Sequence, residues 1–314
     1  MRNENDLFLY LSNHQTAQAF LEECYQKMEE PNASRLSFEN TTSFLYYLNH
    51  GVRFFENAKK VELFIKPVLY FYGMTHLIKA CLLTKRPRYP ESTTLLSHGV
   101  TARKRKKKNY TFMQDEVKVQ QNGLFPYFSE HLYTQRTLPF EKIKMEDLLS
   151  VIPELTPFFK LEDQQRLITV GKIDSKFLTF PNHLLDTHHV TESAFINKIK
   201  GHLPKFTNMD IDTGAIHIQL EESVSTSFGP FFINYDNRNI YFPIYREHFL
   251  PISEVMVHYM VLYNLSMICR YEAEWWGDLL VSKPDIDYPM ILKFLEITEE
   301  KTPFLLKRQL ALEF

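Results

Sequence analysis

Four groups of residues in this chain have types and spacings that could do chemistry. The densest is a run of six basic residues, Arg103, Lys104, Arg105, Lys106, Lys107 and Lys108. Six like charges cannot all be neutralised by near neighbours, so the run should be solvated and attractive to phosphate. Contact with an RNA or DNA backbone would release counterions and give a salt-dependent affinity. Tyr110 and Phe112 follow closely and could stack on unpaired bases. The plain alternative is a solvated loop answered by Asp115 and Glu116, because short basic clusters are common on surfaces.

The second group is Arg270 with Glu272, Glu274 and Trp275. An arginine on a buried helix can hold a phosphate or carboxylate bidentately, or be neutralised by Glu274 one turn on; the ion pair is the commoner outcome. The third is histidine. His98, before Gly99, could act as a base or phosphate donor, and His188 with His189 could bind a metal, although neighbours on a strand face opposite ways and chelate poorly. The fourth is a helical stripe of Tyr72, His76, Lys79 and Leu83, which could bind an anion or simply edge the core. The core edge is the commoner fate of a lone His and Lys among apolar residues.

These residues need elements to hold them. The stretch 250–280, LPISEVMVHYMVLYNLSMICRYEAEWWGDLL, is apolar on nearly all sides from 255 to 269 and predicts a buried helix against which the rest packs. Tyr259, Tyr263, Ser266, Arg270 and Gly277 share its one polar side, with Glu274 just beyond, so its guanidinium needs a partner. Helical spacing also marks 16–28, 37–60 with a break near Gly51, and 67–84 with Pro67 in the first turn. The Asn122-Gly123 pair predicts a turn with short strands on either side, and 140–159 reads as a short helix. From Arg166 the period changes. RLITVGKI, KFLTF, AIHIQLEE, GPFFINY and NIYFPI predict three to five strands, with a helix capped by Thr191 among them. A final helical stretch, YPMILKFLEITEEK, and the tail TPFLLKRQLALEF close the chain.

The fold class expected is α+β, mainly α-helical: a helical bundle with a small inserted β-sheet region. Its parts would be an N-terminal helical region, 1–160, an insertion with short strands, 161–250, and C-terminal helices, 251–314. Composition agrees, since 26 Phe and 17 Tyr against 9 Gly suit helix packing better than tight-turned sheets. A net charge of −2 is no footprint of a general nucleic-acid binder, so any such activity must be local. Three scattered cysteines, Cys24, Cys81 and Cys269, fit no zinc spacing and point to reduced, buried thiols in the cytoplasm. The start lacks a secretory signal, and the longest apolar runs are short for a bilayer. No Walker loop, GxGxxG, GxSxG or HExxH occurs.

FLYYLNHG, PVLYFYGMTHLIKACLL, the SHG step before the basic run and the 250–276 segment together resemble the YaaC-like proteins of Bacillus and related Gram-positive bacteria. That resemblance spans most of the chain and implies no settled activity. In relatives the last motif has a proline about where Ala273 stands. Phe71, Tyr72, Gly73, Lys79 and Ala80 are also similar to a helix of HEPN-type domains, which implies RNA-cutting or nucleotide-binding roles. The Arg-then-His spacing of the ribonuclease members is missing here: YEAEWWG follows Arg270, and His248 is only two residues beyond Arg246. The expected function is therefore binding of a phosphate-bearing ligand, RNA or a nucleotide, through the basic run, His98 and Arg270, with no cofactor or metal required. The alternatives are a HEPN-like nuclease or other hydrolase using His98 or His258, and a module that docks a protein partner through exposed aromatic residues.

Overall fold

The computed structural model describes residues 6–103 and 110–313. Lys104, Arg105, Lys106, Lys107 and Lys108 lie outside the described residues. The protein is mainly α-helical, with two antiparallel sheets. Its chain divides into two compact units, one drawn from Met1–Ile143 and His258–Phe314, the other from Lys144–Val257. The second unit encloses the 161–250 segment that the strand pattern marks.

In the first unit, α1 (Leu7–Tyr10) leads into α2 (His14–Lys27), whose first turn is capped by the Asn13 side chain accepting from the Thr16 N–H at 3.0 Å. Helices α3 (Ala33–Ala58) and α4 (Lys66–Lys85) form its tightest pair. The break expected near Gly51 does not occur, and α3 runs straight through it. Gly51 is there for closeness: a Cβ on it would fall 2.6 Å from the Leu77 side chain, and one on Gly73 would fall 2.9 Å from the Phe55 ring. Two facing glycines let the backbones of α3 and α4 approach and bring their side chains into one layer.

Strands β1 (Val100–Ala102) and β2 (Glu116–Val119) pair antiparallel, with Val100 opposite Val119. The Asn122-Gly123 turn leads not into a second strand but into helix α5 (Leu124–Tyr133). Strand β3 (Lys142–Lys144) completes this small sheet in the order β1-β2-β3. The single helix expected over 140–159 is instead β3 followed by α6 (Met145–Ser150) and α7 (Thr156–Leu161).

The second unit is built on a six-stranded antiparallel sheet. Its strands are β4 (Leu167–Lys172), β5 (Phe177–Pro181), β6 (Phe206–Ile211), β7 (Ala215–Leu220), β8 (Phe232–Asn234) and β9 (Asn239–Pro243). Their order is β6-β7-β5-β4-β9-β8. All five runs read as strands are present. β6 has no counterpart in the sequence pattern, because FTNMDI lacks an apolar alternation and is exposed beyond Phe206. Helices α8 (His183–His188) and α9 (Glu192–Lys200) supply Leu184, Phe195 and Ile199 to a core shared with Phe180, Phe231 and Phe242. Thr191 caps α9 as expected, accepting from the Ala194 N–H.

The stretch 250–280 is two helices, α10 (Glu254–Tyr271) and α11 (Ala273–Ser282), with Glu272 at φ −122° and ψ 49° between them. The helix therefore breaks here without a proline. From Val255 to Ile268 every residue of α10 is buried, as its composition requires. The two closing stretches merge into α12 (Asp287–Ala311), which passes through Pro303. No helix among the described residues is long and apolar enough to cross a membrane.

The glycine contact carries a prediction. Gly73→Val forces side-chain atoms into a crossing already too tight for a Cβ, and should destabilise the fold by about 1–3 kcal/mol. Denaturant unfolding measures this, and an unchanged midpoint would show that the crossing has room to spare.

Candidate functional site

His98 sits on a tightly held backbone of the first unit. The Ser97 carbonyl accepts the Leu124 N–H at 2.8 Å, and the His98 carbonyl accepts both the Phe125 N–H at 3.1 Å and the Tyr259 hydroxyl at 2.9 Å. Gly99 has φ +75° and Gly123 φ +120°, and a Cβ on Gly123 would lie 2.5 Å from the Gly99 Cα. The SHG step thus needs its glycine both for a left-handed backbone and for the close pass of the α5 N-terminus. Held this way, the His98 ring rests among Phe71 at 4.9 Å, Tyr263 at 5.7 Å and Tyr72 at 6.2 Å between centroids.

The close α3–α4 crossing builds the adjoining wall. His76 stacks on Phe54 at 5.7 Å and meets His50 edge-on at 5.4 Å and Tyr47 at 6.0 Å. One turn on, the Lys79 ammonium lies 5.6 Å from the centre of the Tyr47 ring. Phe54 is 6.4 Å from Tyr72, which links this layer to His98. Tyr47 and Phe54 belong to the wide apolar face that helical spacing gives the 37–60 segment; His50, three residues after Tyr47, shares that face, and its spacing is the signal that places it opposite the Tyr72, His76, Lys79 stripe.

The electrostatics are those of a half-buried cationic layer. Burial, and then repulsion from Lys79 and His50, holds the His76 imidazole down at about 4, against an ordinary 6.5. Its Nδ1 is buried without a hydrogen-bond partner among the described residues. Burial also lowers the His98 pKa, followed by repulsion from Arg270 and from Lys79. Burial lowers that of Lys79 itself, with no acidic neighbour acting on it. The two histidines are therefore mainly neutral at pH 7, and Lys79 and Arg270 carry the charge.

Arg270 is not the enclosed guanidinium that its helix suggested. It stands exposed at the end of α10, its Nε donating to the Ser266 carbonyl at 2.9 Å and its Cζ 5.5 Å from the Tyr271 ring centre. No ion pair with Glu274 forms, because the break at Glu272 takes Glu274 out of the helical i, i+4 relation. Four residues expected at a site, Tyr72, His76, His98 and Arg270, thus share one neighbourhood.

Other expectations are corrected. Phe112 is fully buried, its N–H donating to Asp287 at 2.5 Å, while Tyr110 donates to Asp115 at 2.9 Å and packs on Trp275 at 4.9 Å, so neither ring is presented for base stacking. Asp115 is itself buried and also accepts from Asn264 at 2.8 Å. His188 ends a helix rather than lying on a strand; it is fully buried, with Nε2 3.0 Å from the Pro243 carbonyl oxygen. His189 follows with φ +53°. His258 is enclosed too, stacked on Phe294 at 5.2 Å with Nδ1 2.8 Å from the Thr298 hydroxyl, so it is no acid or base for an outside ligand. Arg103 is exposed just beyond β1.

A cleft of about 1030 Å³ opens beside His98 and Tyr263. Residues 96–101, strand β2 with the turn after it, and the segment following α5 line it.

Repulsion from Lys79 should show in the titration of its histidine neighbours. Lys79→Met should move the His76 and His98 midpoints upward in histidine NMR spectra, and midpoints that stay put would separate the lysine from the cluster. The same burial makes stability fall with acid. Below about pH 6.5 the unfolded chain takes up a proton that folded His76 resists until about pH 4, so unfolding becomes easier across that window. His76→Phe should flatten this part of the stability–pH curve.

The profile of the YaaC-like Protein family matches residues 9–310. No match is found among curated proteins, and none among solved structures. The comparisons do not show the HEPN-type resemblance. Because the matched span covers nearly the whole sequence, from α1 to the last turn of α12, this chain belongs to the YaaC-like family.

Proposed function

We propose that the helical unit is a binding module for a phosphate-bearing ligand, a nucleotide or RNA, rather than a catalyst. The observation that carries this is the state of its two cations. Lys79 is half-buried against an aromatic ring, Arg270 ends the driest helix of the unit, both act on His98, and neither pairs with a carboxylate among the described residues. Charge half-buried as on Lys79 is costly until an anion answers it, and exposed Arg270 stands ready to share that anion. A phosphate can take the Arg270 fork bidentately and the Lys79 ammonium as a point charge. Neutral His76 and His98 each offer one ring N–H, and they gain a proton more readily once an anion is present.

The basic run extends the same reading. It lies in the connection between β1 and β2, and β1 begins two residues after His98. Contact between a longer ligand and those charges would add a salt-dependent contribution without sequence preference.

Calorimetric titration with ATP and with single-stranded RNA tests this. Lys79→Met and Arg270→Met should each weaken binding by roughly tenfold or more, the loss of one hydrogen bond to a charged group. Neutralising Arg103, Lys104, Arg105 and Lys106 together should weaken RNA more than ATP and flatten the salt dependence. Equal affinities for wild type and all three variants would remove the proposal.

A further inference from the structure

On the solvent face of the six-stranded sheet, in the second unit, three side chains join in one hydrogen-bonded chain. Strands β5 and β7 pair with Thr179 opposite His217, so the two side chains leave the sheet on the same face. The Thr179 Oγ1 lies 3.3 Å from the His217 Nδ1. The His217 Nε2 lies 3.1 Å from the Asp212 Oδ2. Asp212 stands in the turn between β6 and β7, where its Oδ1 accepts the Gly214 N–H at 2.7 Å and the Ala215 N–H at 2.8 Å. Those two bonds, and then the His217 ring, hold its carboxyl below the usual carboxylate range.

The order of these groups sets the direction of the proton. An ionised carboxylate only accepts, so Nε2 carries the ring hydrogen, and in the neutral imidazole Nδ1 then turns its lone pair to the Thr179 hydroxyl. Hydroxyl, imidazole and oriented carboxylate, in this order, are the parts of an activated nucleophile. A cross-strand pair can also serve the sheet alone, at about 0.2–1 kcal/mol. Two features go beyond that: the carboxylate held by two backbone N–H groups fixes the tautomer, and the hydroxyl is exposed. His258 makes the contrast, since its threonine partner, Thr298, is buried with it.

We infer that Thr179 is a nucleophile toward activated acyl groups, with His217 as its general base and Asp212 as the residue that positions the ring. Oγ1 attacks the carbonyl carbon of an ester or thioester while its proton passes to Nδ1. The bond from that carbon to the departing oxygen or sulfur then breaks, and the departing atom takes the proton from Nδ1. The product is an acyl ester on Thr179, and the acyl donor is the one co-reactant. The surroundings favour acyl over phosphoryl transfer. Asp210 of β6 stands opposite His217 in register, so carboxylates flank the ring on two sides, whereas a phosphoryl group needs cations to neutralise it. Phe177, two residues before Thr179 and on the same face, is 60% exposed and offers an apolar surface to the donor.

The experiment exposes the full chain to p-nitrophenyl acetate at about pH 8, where an ordinary imidazole is neutral. Nitrophenolate release is followed, and mass spectrometry locates the acetyl group. Wild type, Thr179→Val, Thr179→Ser, His217→Gln and Asp212→Asn are compared, with circular dichroism confirming that each is folded. Wild type should carry acetyl on Thr179, Thr179→Val should carry none there, and Thr179→Ser should restore it. His217→Gln should slow acylation about a hundredfold, within the range of general-base assistance, and remove its rise with pH. Asp212→Asn should also slow it, because the amide can donate to Nε2 and move the ring hydrogen to Nδ1. Acetyl found on lysines alone, or on Thr179 at the same rate in His217→Gln, would overturn the inference. An unchanged rate in Asp212→Asn would remove the positioning role.

Discussion

Tyr259 is the point on which the first unit depends. Its ring is wholly withdrawn from water, packed against Phe71 of α4 at 5.3 Å and against Phe125 and Phe128 of α5 at 5.6 and 5.2 Å. Burying a phenol hydroxyl in such surroundings costs several kcal/mol on the order of a lost hydrogen bond unless a partner is found. The partner is the His98 carbonyl, so one side chain ties α10, α4, α5 and the Ser97–Gly99 backbone together. Aromatic pairs of this kind add about 0.5–1.5 kcal/mol each beyond the area they bury. The constraint is geometric as well as energetic: once Tyr259 is seated, His98 has little freedom to be anywhere else.

The cationic cluster follows from that seating. The glycine crossing of α3 and α4 brings Tyr47, His50 and Phe54 up to His76 and Lys79, and the fixed His98 closes the layer from the other side. Elsewhere in the chain cations meet acids, as exposed Arg88 does with Glu30 at 2.9 Å and half-buried Arg166 with Glu146 at 2.9 Å. Lys79 and Arg270 depart from that habit. Half-buried Lys79 keeps its charge against the Tyr47 ring at a cost in stability, and that cost is what the proposed anion would relieve.

The sequence made the helices legible because their apolar spacing is strong, and the five apolar strand runs because β-branched and aromatic residues alternate between turn residues. Its misreadings have particular causes. Gly51 looked like a helix break, yet a glycine inside an apolar helix can equally mark a close neighbour. Read as one helix, the 250–280 stretch encloses Arg270; the break at Glu272 that frees it has no local signal once proline is missing. FTNMDI escaped notice as an edge strand with no buried face to pattern it. The stripe of Tyr72, His76 and Lys79 was readable as one face, but its meeting with His98 was not, since that depends on Tyr259 and on two glycines 24 residues apart reaching across the fold. The basic run, the loudest feature of the composition, says least about geometry.

The central claim is that an anion settles beside His98. The direct measurement is the His98 titration midpoint by NMR with and without saturating ATP. A bound phosphate chain offsets the repulsion from Arg270 and Lys79, so the account predicts a midpoint that rises on binding, with the His76 midpoint moving the same way. An unchanged His98 midpoint at full occupancy would place the ligand elsewhere and contradict the account.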